Sequence, residues 1–223
     1  MNLQAVIFDF DGVLADTEKL HLRAFQEVLG EHGVDLSAED YFARYLGLDD
    51  YHVLLAIASD CALPHGDARV RSLLELKARR YGQLIATERL LFEGVEALVR
   101  EWSRHVPLAV ASGALRREIE EVLGRGGLLE CFRAIVSADD VSHGKPAPDT
   151  FLLALDRLRG DSPAACVVIE DSLPGITAAK AAGMHVVGVA TSHPAEGLRE
   201  ADLVVSSLTD LDLSMLDDLV QSG

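Results

Sequence analysis

Two aspartates, Asp9 and Asp11, stand one residue apart in "DFDGVLADT" near the start of the chain. Alternate residues of an extended chain share a side, so both carboxylates project the same way. Carboxylates this close repel each other. Buried without a cation, one of them would take up a proton, whereas a metal ion would let Asp9 stay ionised as a nucleophile. A second acidic pair, Glu170 and Asp171, offers further oxygen ligands for a hard cation. Magnesium keeps several waters and takes one or two carboxylates plus a phosphate oxygen, so it suits this set better than an all-protein cage would. The positive groups are equally legible. Ser112 and the N–H of Gly113 follow "PLAVA" where a helix is expected to begin, and helix N-termini bind anions. Lys145, in "GKPAPD", adds a point charge able to neutralise a nucleophile and a phosphate together. Such a constellation implies a divalent cation and a cradle for the equatorial oxygens of a phosphoryl group.

These residues need a scaffold that delivers them to one place. Residues 3–10, "LQAVIFDF", form an apolar run that turns acidic at its end, the pattern of a buried parallel strand whose carboxyl end meets a site. Comparable runs recur at 106–111, 166–169, 185–189 and 203–205, with a weaker one at 133–136. Helical spacing lies between them at 94–102, 116–123, 148–158 and 175–182. This alternation predicts right-handed crossovers and a doubly wound parallel sheet, an α/β fold. Ligands of open α/β sheets bind beyond the carboxyl ends of the strands, where all four charged pieces are expected. Residues 17–86 break the pattern with helical spacing and no convincing strand. They are read as an inserted helical cap over the carboxyl end of the sheet, with 1–16 and 87–223 forming the core domain.

Taken singly, each candidate has a plain alternative. Asp9 and Asp11 fit a solvated turn, Lys145 a surface lysine and Ser112 a helix N-cap; their joint order argues for chemistry. Asp16 reads as structural, holding the loop after the first strand. His52 and His65 read as exposed or packed residues of the cap.

Composition narrows the partners. A chain of 223 residues accommodates one domain, or a core with a smaller insertion. An apolar fraction of 49% with 25% charged residues is that of a soluble globular protein. A formal net charge of -16 repels nucleic acid and anionic membranes, so an anionic substrate requires a local positive field. Cys61, Cys131 and Cys166 are far apart without C-x-x-C spacing, which disfavours a disulfide framework or a zinc site and points to a reducing cytoplasm. No targeting or membrane-spanning segment is expected. A small phosphorylated metabolite is the expected partner, and a monomer the expected state.

The motif "DFDGVLADT" resembles the first motif of the haloacid dehalogenase superfamily of phosphatases and phosphomutases. Ser112, Lys145 and "EDS" at 170–172 match the other three motifs in order. The resemblance runs from Leu3 to about Val205. It implies attack of Asp9 on phosphorus, with Asp11 protonating the leaving oxygen and then activating water. It further implies magnesium held by the Asp9 carboxylate, the Asp11 carbonyl and Asp171, with Glu170 nearby or acting through water. A dehalogenase is disfavoured, since that reaction needs neither an acid at Asp11 nor magnesium.

The position of the insert resembles that of the beta-phosphoglucomutase and phosphoglycolate phosphatase branch, where the cap sets substrate choice. His21 matches a position near the substrate in that branch and Lys77 matches a cap lysine of it, while Thr17, one helical turn before His21, is a further substrate-binding candidate. The mutase's basic cap segment is replaced by "YLGLDDYH" at 45–52, with Leu46 and Asp50 where its cations would fall. Leu115 and Arg116 replace a Lys and an Asn after Ser112, and Arg116 is the residue that would compensate in part. Hydrolysis of a sugar phosphate is therefore expected, with a phosphomutase as runner-up. A phosphate-binding regulatory protein on the same scaffold is the non-enzymatic alternative.

Overall fold

The computed structural model describes residues 2–45, 50–61 and 66–222; Leu46 and His65 lie outside the described residues. The chain divides into two compact units, Met1–Asp16 with Leu90–Gly223, and Thr17–Arg89. The second unit carries α1 (Glu18–Gly30), α2 (Ala38–Arg44), α3 (Asp50–Asp60) and α4 (Asp67–Ile85). The first carries α5 (Val95–Trp102), α6 (Arg116–Arg125), α7 (Asp149–Arg157), α8 (Leu173–Ala181) and α9 (Leu213–Ser222). Its strands are β1 (Ala5–Phe8), β2 (Leu108–Ala111), β3 (Ala134–Val136), β4 (Cys166–Glu170), β5 (His185–Val189) and β6 (Leu203–Val205).

The strands form one sheet in the order β3-β2-β1-β4-β5-β6, with every neighbouring pair parallel. Parallel strands covered on both faces read as unbroken apolar runs, and β1, β2 and β4 are buried along their whole length. On one face Ile7, Ala109 and Val168 share a core with Phe151 of α7 and Ile176 of α8. On the other, the Phe8 ring lies 5.9 Å from that of Trp102 in α5 and 6.1 Å from that of Phe132. Each such buried side chain contributes about 1.5–3 kcal/mol.

Register positions the site. Phe8 stands opposite Val110 in β2 and Ile169 in β4, so Asp9, Ser112 and Glu170 emerge at the same end of the sheet. The connections run outward from β1 through β2 to β3, then restart at β4 on its other side. The crevice at β1 and β4 is therefore the switch point of the topology. Strand β1 stops at Phe8, short of the expected residue 10. The N–H groups of Leu14 and Ala15 donate to Phe10 O at 2.9 and 3.0 Å, folding 10–15 into a tight loop. Helix α8 begins at Leu173, earlier than the pattern at 175–182, because Ser172 caps it by accepting the Gly175 N–H at 3.2 Å. Helix α9 lies beyond the ranges read from the sequence.

The helical unit has its own core, built from Phe25 and Leu29 of α1, Tyr41 of α2, Leu54 and Ile57 of α3, and Leu73 of α4. Its end falls at Arg89 rather than Ala86, because 86–88 continue to bond to the last turn of α4 and Arg23 donates to Glu88 at 2.6 Å. Among the described residues, no helix is long and apolar enough to cross a membrane.

Lys77 lies inside this unit with 1% of its side chain exposed. Its ammonium donates to both Asp50 oxygens at 2.8 and 2.6 Å, lies 2.6 Å from His21 Nδ1, and sits over the rings of Phe25 and Tyr81. Burial pushes the Asp50 carboxyl up, but the hydrogen bond from His21 and the Lys77 charge outweigh it and hold the group at about 2. Asp50 keeps 38% of its side chain in water, so the two partners are not equivalent. Asp50→Asn leaves a buried ammonium without this carboxylate and should cost about 3 kcal/mol, whereas Lys77→Met leaves a partly exposed carboxylate that His21 still bonds and should cost under about 1.5 kcal/mol. Urea denaturation of the two variants checks this order; equal losses would contradict it.

Candidate active site

Asp9 follows β1 directly, its N–H donating to Ile169 O at 2.9 Å. The Lys145 ammonium donates to Asp9 Oδ1 at 2.7 Å and to Glu170 Oε1 at 2.6 Å, and rests 5.0 Å from the centre of the Phe151 ring. One oxygen of Glu170 is thereby taken. The other accepts from the N–H of Asp171, the N–H of Ser172 and the Ser172 hydroxyl, each at 2.8 Å. Glu170 has no exposed surface, and a Cβ on Gly175 would run into its carboxylate, so α8 approaches this closely only because the residue there is glycine.

Asp171 is 5% exposed, and carboxylate oxygens of Asp9, Glu170 and Asp171 come within 4.8 Å of one another. Gly12, at φ +72°, faces this group; a Cβ there would collide with the Asp171 carboxylate and the Ser192 hydroxyl. Asp11 lies in the same loop, paired across it with Ala15, and its charge acts on Asp9. Ser112 is buried, and its hydroxyl accepts the Ala114 N–H at 3.1 Å, which leaves its own proton to donate. Helix α6 starts only at Arg116, so Ser112 and the exposed Gly113 belong to a loop ahead of the helix rather than to its first turn.

The structure thus brings Asp9, Lys145, Glu170 and Asp171 together, with Asp11 and Ser112 on loops at the same end of the sheet. The Arg116 guanidinium donates to Asp140 at 2.7 Å, to Ile135 O at 2.8 Å and to Glu120 at 3.3 Å. Thr17, His21 and Lys77 belong to the helical unit. Thr17 is buried, and its carbonyl accepts the N–H groups of Leu20 and His21 at 2.9 and 3.1 Å. Three residues on the loop after β5 escaped the sequence reading. Thr191 donates to Gly12 O, Ser192 Oγ lies beside the Asp171 carboxylate, and His193 Nδ1 lies 3.0 Å from Asp171 O. The signal was available, because "TSH" follows a strand at the sheet end that carries the other site loops.

One ammonium does not neutralise three buried carboxylates. Burial pushes the Asp9 carboxyl up to about 7, with Glu170 and Asp11 adding to the rise and Lys145 opposing it. Burial likewise pushes Asp171 up to about 8, reinforced by Asp9 and Glu170 and opposed by Ser192 and Lys145. Burial by itself would lower Lys145, but Asp9 and Glu170 outweigh it and keep the lysine charged. An all-oxygen, charge-deficient set of this kind fits a hard divalent cation.

These features define a doubly wound α/β protein with a charged site at its topological switch point. Residues 6–189 match the family described as haloacid dehalogenase-like hydrolase, and the chain belongs to that family. It is 38% identical over 189 residues to the fructose-1-phosphate phosphatase YqaB of Escherichia coli, covering 82% of this chain and 95% of that protein. It is 34% identical over 221 residues to the beta-phosphoglucomutase of Bacillus subtilis, covering 97% and 95%. A crystal structure of CbbY from Rhodobacter sphaeroides in complex with phosphate superposes with a TM-score of 0.83 at 31% identity, covering 96% of this chain and 99% of that one. The resemblance carried by the motifs therefore holds at the level of sequence and of fold.

The raised carboxyls have a measurable consequence. Between roughly pH 4 and 8 the native metal-free protein holds protons on Asp9 and Asp171 that the unfolded chain has released, so stability falls as pH rises through this window. Added magnesium competes with those protons and should raise Tm more at pH 8 than at pH 5.5. Asp171→Asn should flatten the pH dependence, with a difference from wild type above about 3 °C, the shift expected per kcal/mol in a chain of this size. Thermal melts in EDTA and in magnesium at both pH values provide the check.

Proposed function

We propose that the chain is a magnesium-dependent phosphatase of a small phosphorylated metabolite, a sugar phosphate in the first instance, acting through phosphorylation of Asp9. The observation that carries this reading is the Asp9 carboxylate itself: one oxygen is held by Lys145, and the group sits beside Asp171 at the end of the central strand. The names of the relatives, a sugar phosphate phosphatase among them, support it.

The Asp9 and Asp171 carboxylates and the Asp11 carbonyl would hold the ion, which supplies charge neutralisation for the carboxylates and the incoming phosphate. Glu170 is not assigned as a direct ligand, because both its oxygens already accept donors; it holds Lys145 instead. Lys145 in turn fixes the nucleophile. The Ser112 hydroxyl donates to a phosphoryl oxygen, with the Gly113 N–H beside it. Asp9 forms a bond to phosphorus as the ester oxygen departs, taking the proton of the Asp11 carboxyl. Asp11, now ionised, removes a proton from water as the water attacks phosphorus; phosphate leaves and the Asp9 carboxylate is restored.

Arg116 is assigned to tethering the Ser112 loop through Asp140. His21 and Lys77 are proposed as the substrate-reading residues of the cap, on the strength of their match to that branch of the family, with Thr17, one helical turn before His21, as a further candidate. The phosphomutase reading has the Bacillus subtilis relative in its favour. Against it, Asp50 stands where that branch carries a cation and is itself bound to Lys77. A monomer in the cytoplasm remains the proposed state.

Phosphate release from a panel of about a hundred phosphorylated metabolites tests the proposal. Turnover of at least one is expected, abolished by EDTA and restored by magnesium. Asp9→Asn should lower kcat by about a thousandfold or more. A folded wild-type protein that releases phosphate from none of them would refute the reading, and interconversion of sugar phosphates without phosphate release would favour the mutase.

A further inference from the structure

We propose that the loop after β5 is a support for the metal ligand, with Ser192 and His193 as positioning residues that orient Asp171 toward a divalent cation. The inference rests on the reading of Asp171 as a ligand and extends it to residues that the family motifs do not include. Three consecutive side chains reach two different site loops. The Thr191 hydroxyl donates to the carbonyl of Gly12, in the loop that carries Asp9 and Asp11. Ser192 Oγ lies against the Asp171 carboxylate: the hydroxyl and Asp171 Oδ2 converge on the space that a Cβ at Gly12 would fill. His193 Nδ1, 3.0 Å from the carbonyl of Asp171, fixes the main chain of the same residue.

The loop is itself anchored. The Ala190 N–H donates to Val205 O at 2.9 Å, and the Thr191 N–H to Val189 O at 2.9 Å, so the grip derives from the edge of the sheet rather than from a free segment. A carboxylate whose main chain is held by His193 and whose Oδ2 is flanked by the Ser192 hydroxyl has its orientation restricted and presents its remaining lone pairs in a narrow range of directions. Outer-shell hydrogen bonds of this kind are worth 10–100-fold in metal affinity. Glu170, on the neighbouring position, has its oxygens filled from its own loop and from Lys145. Asp171 takes its side-chain support from a separate strand's loop, which sequence proximity to the motif does not reveal.

The test is calorimetric titration of magnesium into the metal-free protein, with no substrate present. Ser192→Ala should weaken magnesium binding about 10-fold or more, and Ser192→Thr, which keeps the hydroxyl, should restore it. His193→Ala should weaken it in the same direction, and His193→Asn, which keeps a donor near the Nδ1 position, should recover most of the loss. In a coupled phosphatase assay, the magnesium concentration for half-activation should rise in Ser192→Ala while the substrate KM at saturating magnesium stays at the wild-type value. Wild-type affinity in both alanine variants would overturn the inference and leave the phosphatase reading standing. So would equal weakening in Ser192→Ala and Ser192→Thr, since the hydroxyl would then not be the cause. A wild-type protein that binds no magnesium would overturn the metal assignment together with this inference.

Discussion

The Lys145 ammonium bridges Asp9 and Glu170, and the geometry of the site follows from that bridge. Two unit charges in contact near a protein surface attract by on the order of 4 kcal/mol, while taking each ion out of water costs several kcal/mol. With three carboxylates gathered around one ammonium, the balance does not close, and the deficit appears as the upward displacement of Asp9 and Asp171. The site is therefore stable in its ionised form only with more positive charge than the chain supplies. This is a physical reason for a phosphate-handling centre to require a cation even in a protein whose overall charge opposes anion binding.

The sheet makes that concentration of charge possible. Placing β1 between β2 and β4 lets three strands end side by side, so that Asp9, Ser112 and Glu170 converge directly, while Lys145 reaches them from the connection between β3 and α7. The buried runs beneath them supply the rigidity, and for Asp9, Ser112 and the Glu170–Asp171 pair the loops position only the residues next to a strand end. Glu170 and Ser172 illustrate the division of labour: the strand delivers the carboxylate, and the helix start at Ser172 satisfies it. The helical unit, by contrast, carries a core of its own and an internal ion pair at Lys77, separate from the charges gathered around Lys145.

Much of this was legible in the sequence. Apolar runs located the strands, most clearly β1, β2 and β4, because parallel strands buried on both faces have no polar positions to blur the pattern. Asp9, Lys145, Glu170 and Asp171 were legible because each lies at the end of such a run or in a motif of fixed order. The ends of elements were less so: β1 closes early because Phe10 O is taken by a turn, and α8 opens early because a cap is a local hydrogen bond without periodicity. Partners across the fold were least legible. Nothing in the spacing of Arg116 announces Asp140, nothing in Lys77 announces Asp50, and Ser192 reaches Asp171 only through the sheet order.

The absent side chains at Gly12 and Gly175 bear on how such a site can diversify. At both positions the volume beyond Cα is already filled by a carboxylate, at Gly12 with a left-handed backbone as well. Gly82, on the helical unit, has nothing within reach of an added methyl. A side chain at Gly12 or Gly175 would displace a carboxylate of the charged cluster, so these two positions are fixed by exclusion, whereas Gly82 is sterically open to replacement.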